Sequence, residues 1–449
     1  MTPSTLATAS AAAAAPSTTL AALLQKIRDR QAKVGIIGLG YVGLPLAVEF
    51  ARAGFTVTGF EVDERRAAQV NAGQSYIDDI SAADLSEPVG KKKLQATTDW
   101  SRLAGMDTIS ICVPTPLSKT KEPDLSYILR ASERVRDTLR AGQLVVLEST
   151  TYPGTTDEVV LPMLSEGGLV AGRDFFLAFS PERVDPGNAQ FQTHNIPKVV
   201  GGVTPACGEA AEELYNTGVK RVLRVSNAQT AEMAKLLENT FRNVNIGLVN
   251  EMALLCRALN VNVWEVIEAA GSKPFGFMKF LPGPGLGGHC IPIDPVYLSW
   301  KARAHGFEPR LIEVAQQINA RMPEHVVERI AAALNDQGKA LRGARIHVLG
   351  VAYKRDICDI RESPALDIIH HLKKRQAEVV YSDPFIPSFR EPGLELTAIG
   401  LEQLPQADCA VIITDHSAFD YAAIARDAKV VVDTRNALRG YPQAHVYGL

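Results

Sequence analysis

The glycines of Gly38-Leu39-Gly40-Tyr41-Val42-Gly43 constrain this chain more than any other feature, because of what flanks them. Lys33 to Gly38 reads as a buried parallel strand, the run Val34-Gly35-Ile36-Ile37 between polar flanks. Leu44 to Ala53 has helical spacing and stops at Gly54. Phe55 to Glu61 reads as the next strand, so the glycines fall at the turn of a βαβ unit. There the first glycine permits the tight bend, the second lets the backbone approach a pyrophosphate, and the third lets helix and strand pack closely. The phosphates then rest on a helix N-terminus, where amides and dipole favour anions. Glu61 stands 23 residues after Gly38, in place to hydrogen-bond ribose hydroxyls. Its charge repels a 2′-phosphate, which predicts NAD as the cofactor rather than NADP. Asp63 is a second acid nearby and reads as a turn residue.

The same rhythm continues. Thr108–Val113, Leu144–Leu147 and Phe176–Ala178 read as strands, and Leu125–Ala141 and Thr156–Leu164 as helices between them. After about residue 205 the pattern becomes helical: Gln229–Leu259, Val263–Ala270 and Pro309–Arg321. From Arg345 a second α/β pattern begins, with strands at Ile346–Leu349, Glu378–Ser382, Cys409–Thr414 and Val430–Asp433, and a helix near Ser363–Lys374. The expected fold is therefore α/β, two Rossmann-like doubly wound domains joined by a central domain of long helices. Its parts are a tail and short helix over 1–32, an NAD-binding domain over 33–205, a helical and dimerising domain over 206–325, and a second nucleotide-binding half over 326–449. The turn Gly350-Val351-Ala352-Tyr353-Lys354 has lost the three-glycine spacing, so if the second half binds a nucleotide it does so differently from the first.

Composition narrows the class. A chain of 449 residues exceeds one ordinary core. A net charge of −3 argues against nucleic-acid binding by charge. Six cysteines at 112, 207, 256, 290, 358 and 409 stand singly, which is neither a disulfide framework nor a zinc pattern, and no metal is expected. Those cysteines suggest a reducing cytoplasm. No run is long and apolar enough for a membrane helix, so no membrane partner is expected. Residues 1–16 are rich in Ala, Ser and Thr without the charged start of a signal peptide and read as a disordered tail, whereas Leu20, Leu23, Leu24 and Ile27 recur at helix spacing.

Chemistry concentrates in Gly283-Pro284-Gly285-Leu286-Gly287-Gly288-His289-Cys290-Ile291-Pro292-Ile293-Asp294. Cys112, Cys256 and Cys409 lie inside apolar runs, as core cysteines do. Cys290 instead follows glycines and precedes Pro292, a loop that presents a thiol. A thiolate is the reactive form, and Lys235, His289 and Asp294 are the candidates to tune it. Lys235 and Asn239 stand four apart and share a helix face, where a lysine serves as oxyanion partner or simply extends to solvent. Glu182, in Ser180-Pro181-Glu182-Arg183, reads as a general base or as a solvated carboxylate. Val113-Pro114-Thr115-Pro116 and Glu148-Ser149-Thr150 follow strands and so face a ligand cleft, although turn chemistry accounts for them equally well. Lys354 and Arg361, in a mixed-charge loop ending at Pro364, suit phosphates or plain solvation.

Taken in order, these motifs resemble the nucleotide-sugar 6-dehydrogenases, the UDP-glucose/UDP-N-acetylhexosamine dehydrogenase family, from about Lys33 to the C-terminus. The resemblance implies Cys290 as nucleophile, Lys235 with Asn239 at the oxyanion, Asp294 beside the cysteine, Glu182 in water activation and Thr150 in positioning water. On the cofactor side it implies Gly38, Gly40, Tyr41, Val42, Gly43, Glu61, Arg66, Pro114, Thr115, Ser149 and Thr150. On the substrate side it implies Glu182, Arg183, Lys235, Asn239, Phe280, Gly283, Gly285, Gly287, Lys354, Arg361 and Arg435. The reaction implied is a four-electron oxidation of a sugar C6 alcohol to the acid with two NAD, through a thiohemiacetal and a thioester on Cys290.

The segment Lys273–Gly285, and a histidine rather than serine before the cysteine, resemble the bacterial UDP-N-acetylglucosamine branch, with UDP-GalNAc, UDP-ManNAc and UDP-glucose as alternatives. That branch implies a role in surface polysaccharide, such as O-antigen, and a homodimer or larger homo-oligomer. Glu61 departs from the family's usual aspartate, and the Ala-rich tail has no family counterpart. A two-electron hydroxyacid dehydrogenase and a non-catalytic nucleotide-sugar sensor are the competing readings; neither requires the cysteine.

Overall fold

A computed structural model describes residues 18–77, 80–118, 122–185, 190–441 and 445–449, so the Ala-rich tail lies outside the described residues. The chain forms two compact units. The first runs to Pro116 and from Asp124 to Lys235; the second comprises Leu117–Pro123 and Leu236–Leu449.

The first unit is built on eight strands: β1 (Lys33–Ile37), β2 (Thr56–Phe60), β3 (Leu94–Thr97), β4 (Thr108–Ile111), β5 (Leu144–Leu147), β6 (Phe176–Phe179), β7 (Lys198–Gly202) and β8 (Val222–Arg224). Their order is β3-β2-β1-β4-β5-β6-β7-β8, and every neighbouring pair is parallel except β6 with β7. Both faces of the sheet are covered, which is why strands such as Leu-Val-Val-Leu in β5 are apolar throughout. Alternate residues feed opposite cores. Leu144 and Val146 join a cluster with Phe50 and Tyr215, and Val145 and Leu147 join another with Ile128 and Val160. The expected N-terminal helix spans Thr18–Arg28 and buries Leu20, Leu23, Leu24 and Ile27 in the first of these clusters.

The strand order reverses between β1 and β4, the switch point at which open α/β sheets bind ligands. Strand β8 extends this sheet past residue 205, where the sequence rhythm reads as already changed. A three-residue, largely exposed strand such as β8 has too little apolar pattern to be seen.

The second unit holds most of the helix Ala228–Ala258, then helices Val263–Gly271, Asp294–Ala304 and Arg310–Asp336. It continues into β9 (Arg345–Leu349), β10 (Glu378–Ser382), the hairpin β11 (Ser388–Glu391) and β12 (Leu394–Thr397), then β13 (Cys409–Ile412), β14 (Val431–Asp433) and β15 (Val446–Gly448). The sheet order is β10-β9-β13-β14-β15, all parallel. The helix expected to stop at Arg321, ahead of Pro323, instead runs on to Asp336. Pro323 is buried, and the face Met322, Val326, Val327, Ile330, Ala333 and Leu334 packs into the core, so burial outweighs the lost backbone hydrogen bond.

Gly247 lies in the middle of the helix Ala228–Ala258, where a Cβ would come within 3.0 Å of the Cβ of Ala315 on the helix Arg310–Asp336. The two helices cross with no room for a side chain. Gly247→Val is therefore expected to destabilise the protein by about 1–3 kcal/mol in urea denaturation, an overpacking cost that outweighs any gain in helix propensity.

Candidate active site

Two of the three glycines of the first turn are required by the fold, each for a separate reason. Gly38 has φ +87°, and a Cβ there would lie 2.7 Å from the carbonyl oxygen of Cys112, just past the end of β4. Gly43 begins the helix Gly43–Arg52, and a Cβ there would meet the carbonyl oxygen of Gly38 at 1.8 Å. Around Gly40 there is nothing within 4 Å. Two glycines are thus used by the fold, and the middle one leaves the backbone open at the helix N-terminus, where anions are favoured. Glu61 follows β2, and its carboxylate accepts the N–H of Leu39 at 3.2 Å and of Val62 at 2.8 Å. A carboxylate has further lone pairs for ribose hydroxyls, so the residues present fit NAD.

Tyr41 is 40% exposed at the turn, and the hydroxyl of Tyr76 donates to the carbonyl of Leu39. Arg66 is exposed and lies over the ring of Tyr76. Asp63 accepts the N–H of Arg65 and caps the helix Glu64–Asn71.

Pro114 and Thr115 follow β4, and Ser149 and Thr150 follow β5, as expected for residues at a strand's C-terminal end. The Ser149 hydroxyl is engaged by the protein itself, accepting the N–H of Val113 at 2.9 Å and donating towards its carbonyl at 2.8 Å. That bond ties the ends of β4 and β5 together. The segment Gly154–Thr156 is held by Glu232, a buried carboxylate on the long helix that accepts the N–H of Gly154, the N–H of Thr156 and the hydroxyl of Thr156. Lys235 follows on the same helix and is buried.

Glu182 lies beyond β6. Its Oε1 accepts the N–H groups of Arg183 at 2.7 Å and Val184 at 2.8 Å. Its Oε2 is 3.3 Å from the ammonium of Lys198. Burial would raise this carboxyl, but Lys198, the two N–H groups and Lys235 outweigh it and hold Glu182 below the ordinary carboxylate range. Arg183 donates to the carbonyl of Pro197.

Within the second unit the cysteine loop is tied down by amide side chains. Asn239 donates to Asp294 at 2.5 Å, Asn243 donates to the carbonyl of Ile291 at 3.1 Å, and Asn250 accepts the N–H of Gly283 at 2.9 Å. Asn319 joins them, accepting from Asn250 and donating to the carbonyl of Asn243. The Cys290 carbonyl accepts the N–H groups of Ile293 and Asp294, so the partly exposed cysteine lies one turn ahead of the helix Asp294–Ala304.

The loop glycines serve close packing. A Cβ on Gly287 would lie 2.6 Å from Tyr353 Cβ, and one on Gly288 2.9 Å from the Tyr353 ring. Gly288 also donates to the carbonyl of Arg361, and Gly285, with φ +133°, packs on Pro323 and Pro364. The structure thus joins the cysteine loop to the segment carrying Lys354 and Arg361. The Arg361 guanidinium itself pairs with Asp359.

Arg435 lies against Gly283, where a Cβ would meet its Nη1 at 2.6 Å. Burial lowers its guanidinium to about 10, with Asp433 opposing, so it keeps its charge at neutral pH. Phe280 packs edge-on against Phe241.

Sequence reasoning missed Lys198, Glu232, Asn250 and Asn319, and passed over Glu148 in its motif. A lone charge at the head of the apolar run Lys198-Val199-Val200 was the one available signal. Among the described residues no cluster of His, Cys, Asp and Glu is arranged to hold a metal, and no helix is long and apolar enough to cross a membrane. Glu61→Ala is expected to weaken NAD binding about tenfold, equivalent to ~1.4 kcal/mol, and to narrow discrimination against NADP. Fluorescence titration with NADH and NADPH reads both, and unchanged constants would remove Glu61 from the ribose.

Residues 32–219 match the NAD binding domain of the UDP-glucose/GDP-mannose dehydrogenase family, 229–321 its central domain and 347–440 its UDP binding domain. A UDP-N-acetyl-D-glucosamine 6-dehydrogenase of Pseudomonas aeruginosa is 35% identical over 392 residues, 86% of this chain and 91% of that protein. A UDP-N-acetyl-D-mannosamine dehydrogenase of Pyrococcus horikoshii is 37% identical over 421 residues, 92% of this chain and 98% of that protein. The solved structure of a UDP-D-ManNAc dehydrogenase from Pyrococcus horikoshii superimposes with a TM-score of 0.85 at 36% identity, covering 93% of this chain and 98% of that one. With an NAD turn at the sheet's switch point and all three of its parts matched, the chain belongs to the UDP-glucose/GDP-mannose dehydrogenase family.

Proposed function

We propose that the protein oxidises the C6 hydroxyl of a UDP-N-acetylhexosamine to the uronic acid, with UDP-GlcNAc as the first sugar to test and UDP-ManNAc, UDP-GalNAc and UDP-glucose as alternatives. The relatives divide between glucosamine and mannosamine nucleotides, which supports the hexosamine class. One observation carries the chemistry: Cys290 is partly exposed ahead of a helix, in a loop bonded to Asn239, Asn243 and Asn250 through its neighbours. A thiol held this way is prepared to stay bound to one carbon through two successive steps.

In this reading residues 33–205 serve the cofactor, 206–325 form the helical middle, and 326–449 take the UDP. NAD, when bound, accepts the hydride in each of the two oxidations, two equivalents per sugar. The Cys290 thiolate adds to the C6 aldehyde, and the alkoxide so formed takes up from water the proton that the C6 hydroxyl released in the first oxidation, giving a thiohemiacetal. Lys235, with Asn239 on the same helix face, stabilises negative charge on that oxygen. After the second oxidation C6 is a thioester. Water, positioned by Thr150, attacks it, and Glu182 takes the water proton. The C–S bond then breaks, and sulfur leaves as the thiolate while the uronate departs. Arg435, Lys354 and Arg361 supply cations for the diphosphate.

A second copy of this chain is the proposed partner. The helix Ala228–Ala258 spans about 45 Å. Along it Leu237, Phe241, Leu248 and Leu255 are exposed, and Leu311 and Val314 are exposed on the helix Arg310–Asp336. An apolar stripe of this length is rare on a monomer's surface.

The deciding assay follows NADH with UDP-GlcNAc, UDP-ManNAc, UDP-GalNAc and UDP-glucose in turn. Two NADH per sugar are expected; one per sugar would indicate a two-electron dehydrogenase. Cys290→Ser is expected to stop uronate formation with the fold intact by circular dichroism, and unchanged turnover would refute the nucleophile. Light scattering is expected to show a dimer or larger assembly that Leu248→Glu with Leu255→Glu reduces to monomer. A monomeric wild-type protein would refute the interface.

A further inference from the structure

Lys198 opens β7 and is only 4% exposed. Its ammonium lies 2.6 Å from Glu148 Oε2 and 3.3 Å from Glu182 Oε2. It also stands 5.3 Å from the centroid of the Tyr215 ring, and the Tyr215 hydroxyl donates to the other oxygen of Glu148. One buried cation thus faces two buried or nearly buried carboxylates. Leaving any of these charges without a partner inside the protein is costly, so the arrangement is tightly coupled. None of the steps in the proposed reaction uses Lys198 or Glu148 directly.

We propose that Lys198 is a positioning residue for Glu182, and that Glu148 competes with Glu182 for the same ammonium. The inference rests on the reading of Glu182 as the group that takes the water proton. The two backbone N–H bonds fix Oε1 of Glu182, and Lys198 fixes Oε2, so the carboxylate is held at both oxygens.

Glu182 and Glu148 differ in charge balance. For Glu148 burial dominates and pushes its carboxyl up, although Lys198 and the Tyr215 hydroxyl oppose it. For Glu182 the opposing groups win. Lys198 is itself raised above the ordinary lysine value, because the two carboxylates outweigh the effect of burial. Among the described residues, the charged and titratable groups that face Glu182 include Lys198 on β7, Glu148 after β5, Lys235 on the long helix and Cys112 after β4. Burial raises the Cys112 thiol well above its ordinary value, so it stays neutral.

The sign of each change follows. Glu182 must be ionised to accept a proton, so the acid limb of the release step follows its pKa. Removing Lys198 takes away an opposite charge and raises that pKa, and removing the charge of Glu148 leaves Lys198 to Glu182 alone and lowers it. The test uses the full chain with NAD and the UDP-sugar it turns over, and follows decay of the acyl-enzyme by rapid quench across the acid range. Lys198→Met is expected to move the acid limb up by about one pH unit or more, Lys198→Arg to restore it, and Glu148→Gln to move it down. A purely structural role would slow release and leave the limb in place, and that result overturns the proposal.

If Lys198→Met does not fold, Glu148→Gln decides alone: a downward shift supports the proposal, and an unmoved or raised limb overturns it. Glu182→Gln separates the two claims. If that variant releases uronate with the wild-type acid limb, the reading of Glu182 fails and the inference falls with it. If it abolishes release while the Lys198 and Glu148 variants leave the limb unmoved, only the inference fails.

Discussion

The hydrogen bond from Asn239 to Asp294, 2.5 Å long, secures the start of the helix that follows Cys290. The cysteine loop is held by it and by the other amides beside it. A neutral amide offers both a donor and an acceptor without burying a charge, so it can bridge a carboxylate, a carbonyl or a backbone N–H at low desolvation cost. Asn243 and Asn250 repeat the device farther along the same helix, and Asn319 connects them from the neighbouring helix. Close crossing at Gly247 and Ala315 brings those two helices near enough for the amides to meet. The cysteine loop is therefore held by polar bonds on one side and by glycine contacts with Tyr353 and Pro364 on the other.

The two α/β halves solve the same local problem differently. Gly38 and Gly350 both take positive φ, +87° and +82°, and both lie against a carbonyl past the end of a neighbouring strand, that of Cys112 in one and Thr414 in the other. The acid after the second strand is Glu61 in the first half and Asp383 in the second. Glu61 accepts one N–H from the glycine turn and keeps room for a ligand beside Gly40. Asp383 instead accepts the N–H groups of Val351 and Ala352 and faces His416 at 3.0 Å. Because Asp356 donates its N–H to His416 Nδ1, the ring carries its proton on Nε2 and gives it to Asp383. The second turn is consequently closed by its own side chains, which accounts for its loss of the glycine spacing.

Long periodic elements were legible without a structure. The helix read as Gln229–Leu259 is Ala228–Ala258, and the strand read as Glu378–Ser382 is found as read. The helix read as Pro309–Arg321 runs on past Pro323 to Asp336, because local propensity cannot register how much apolar surface a helix will bury. Candidate site residues stand out in the sequence where unusual residue types crowd together, as glycines do around Cys290. Lys198, Glu148 and Glu232 were not. Each is a single ordinary charge in its local sequence; Lys198 and Glu148 stand 50 residues apart, and Glu232 stands 76 from Thr156.

The first βαβ turn, the α/β–helix–α/β order and the glycine-rich setting of Cys290 follow from the order of residues alone. These follow from short-range rules: positive φ at glycine, strand and helix periods, and the avoidance of core cysteines in such loops. Only the tertiary structure decided which charges meet. Glu182 is paired with a buried lysine, Asp294 with an amide, and the loop glycines with Tyr353. The reason is physical: a charge's state and partner depend on burial and on distances of a few ångströms between segments far apart in the chain, and no local pattern encodes them.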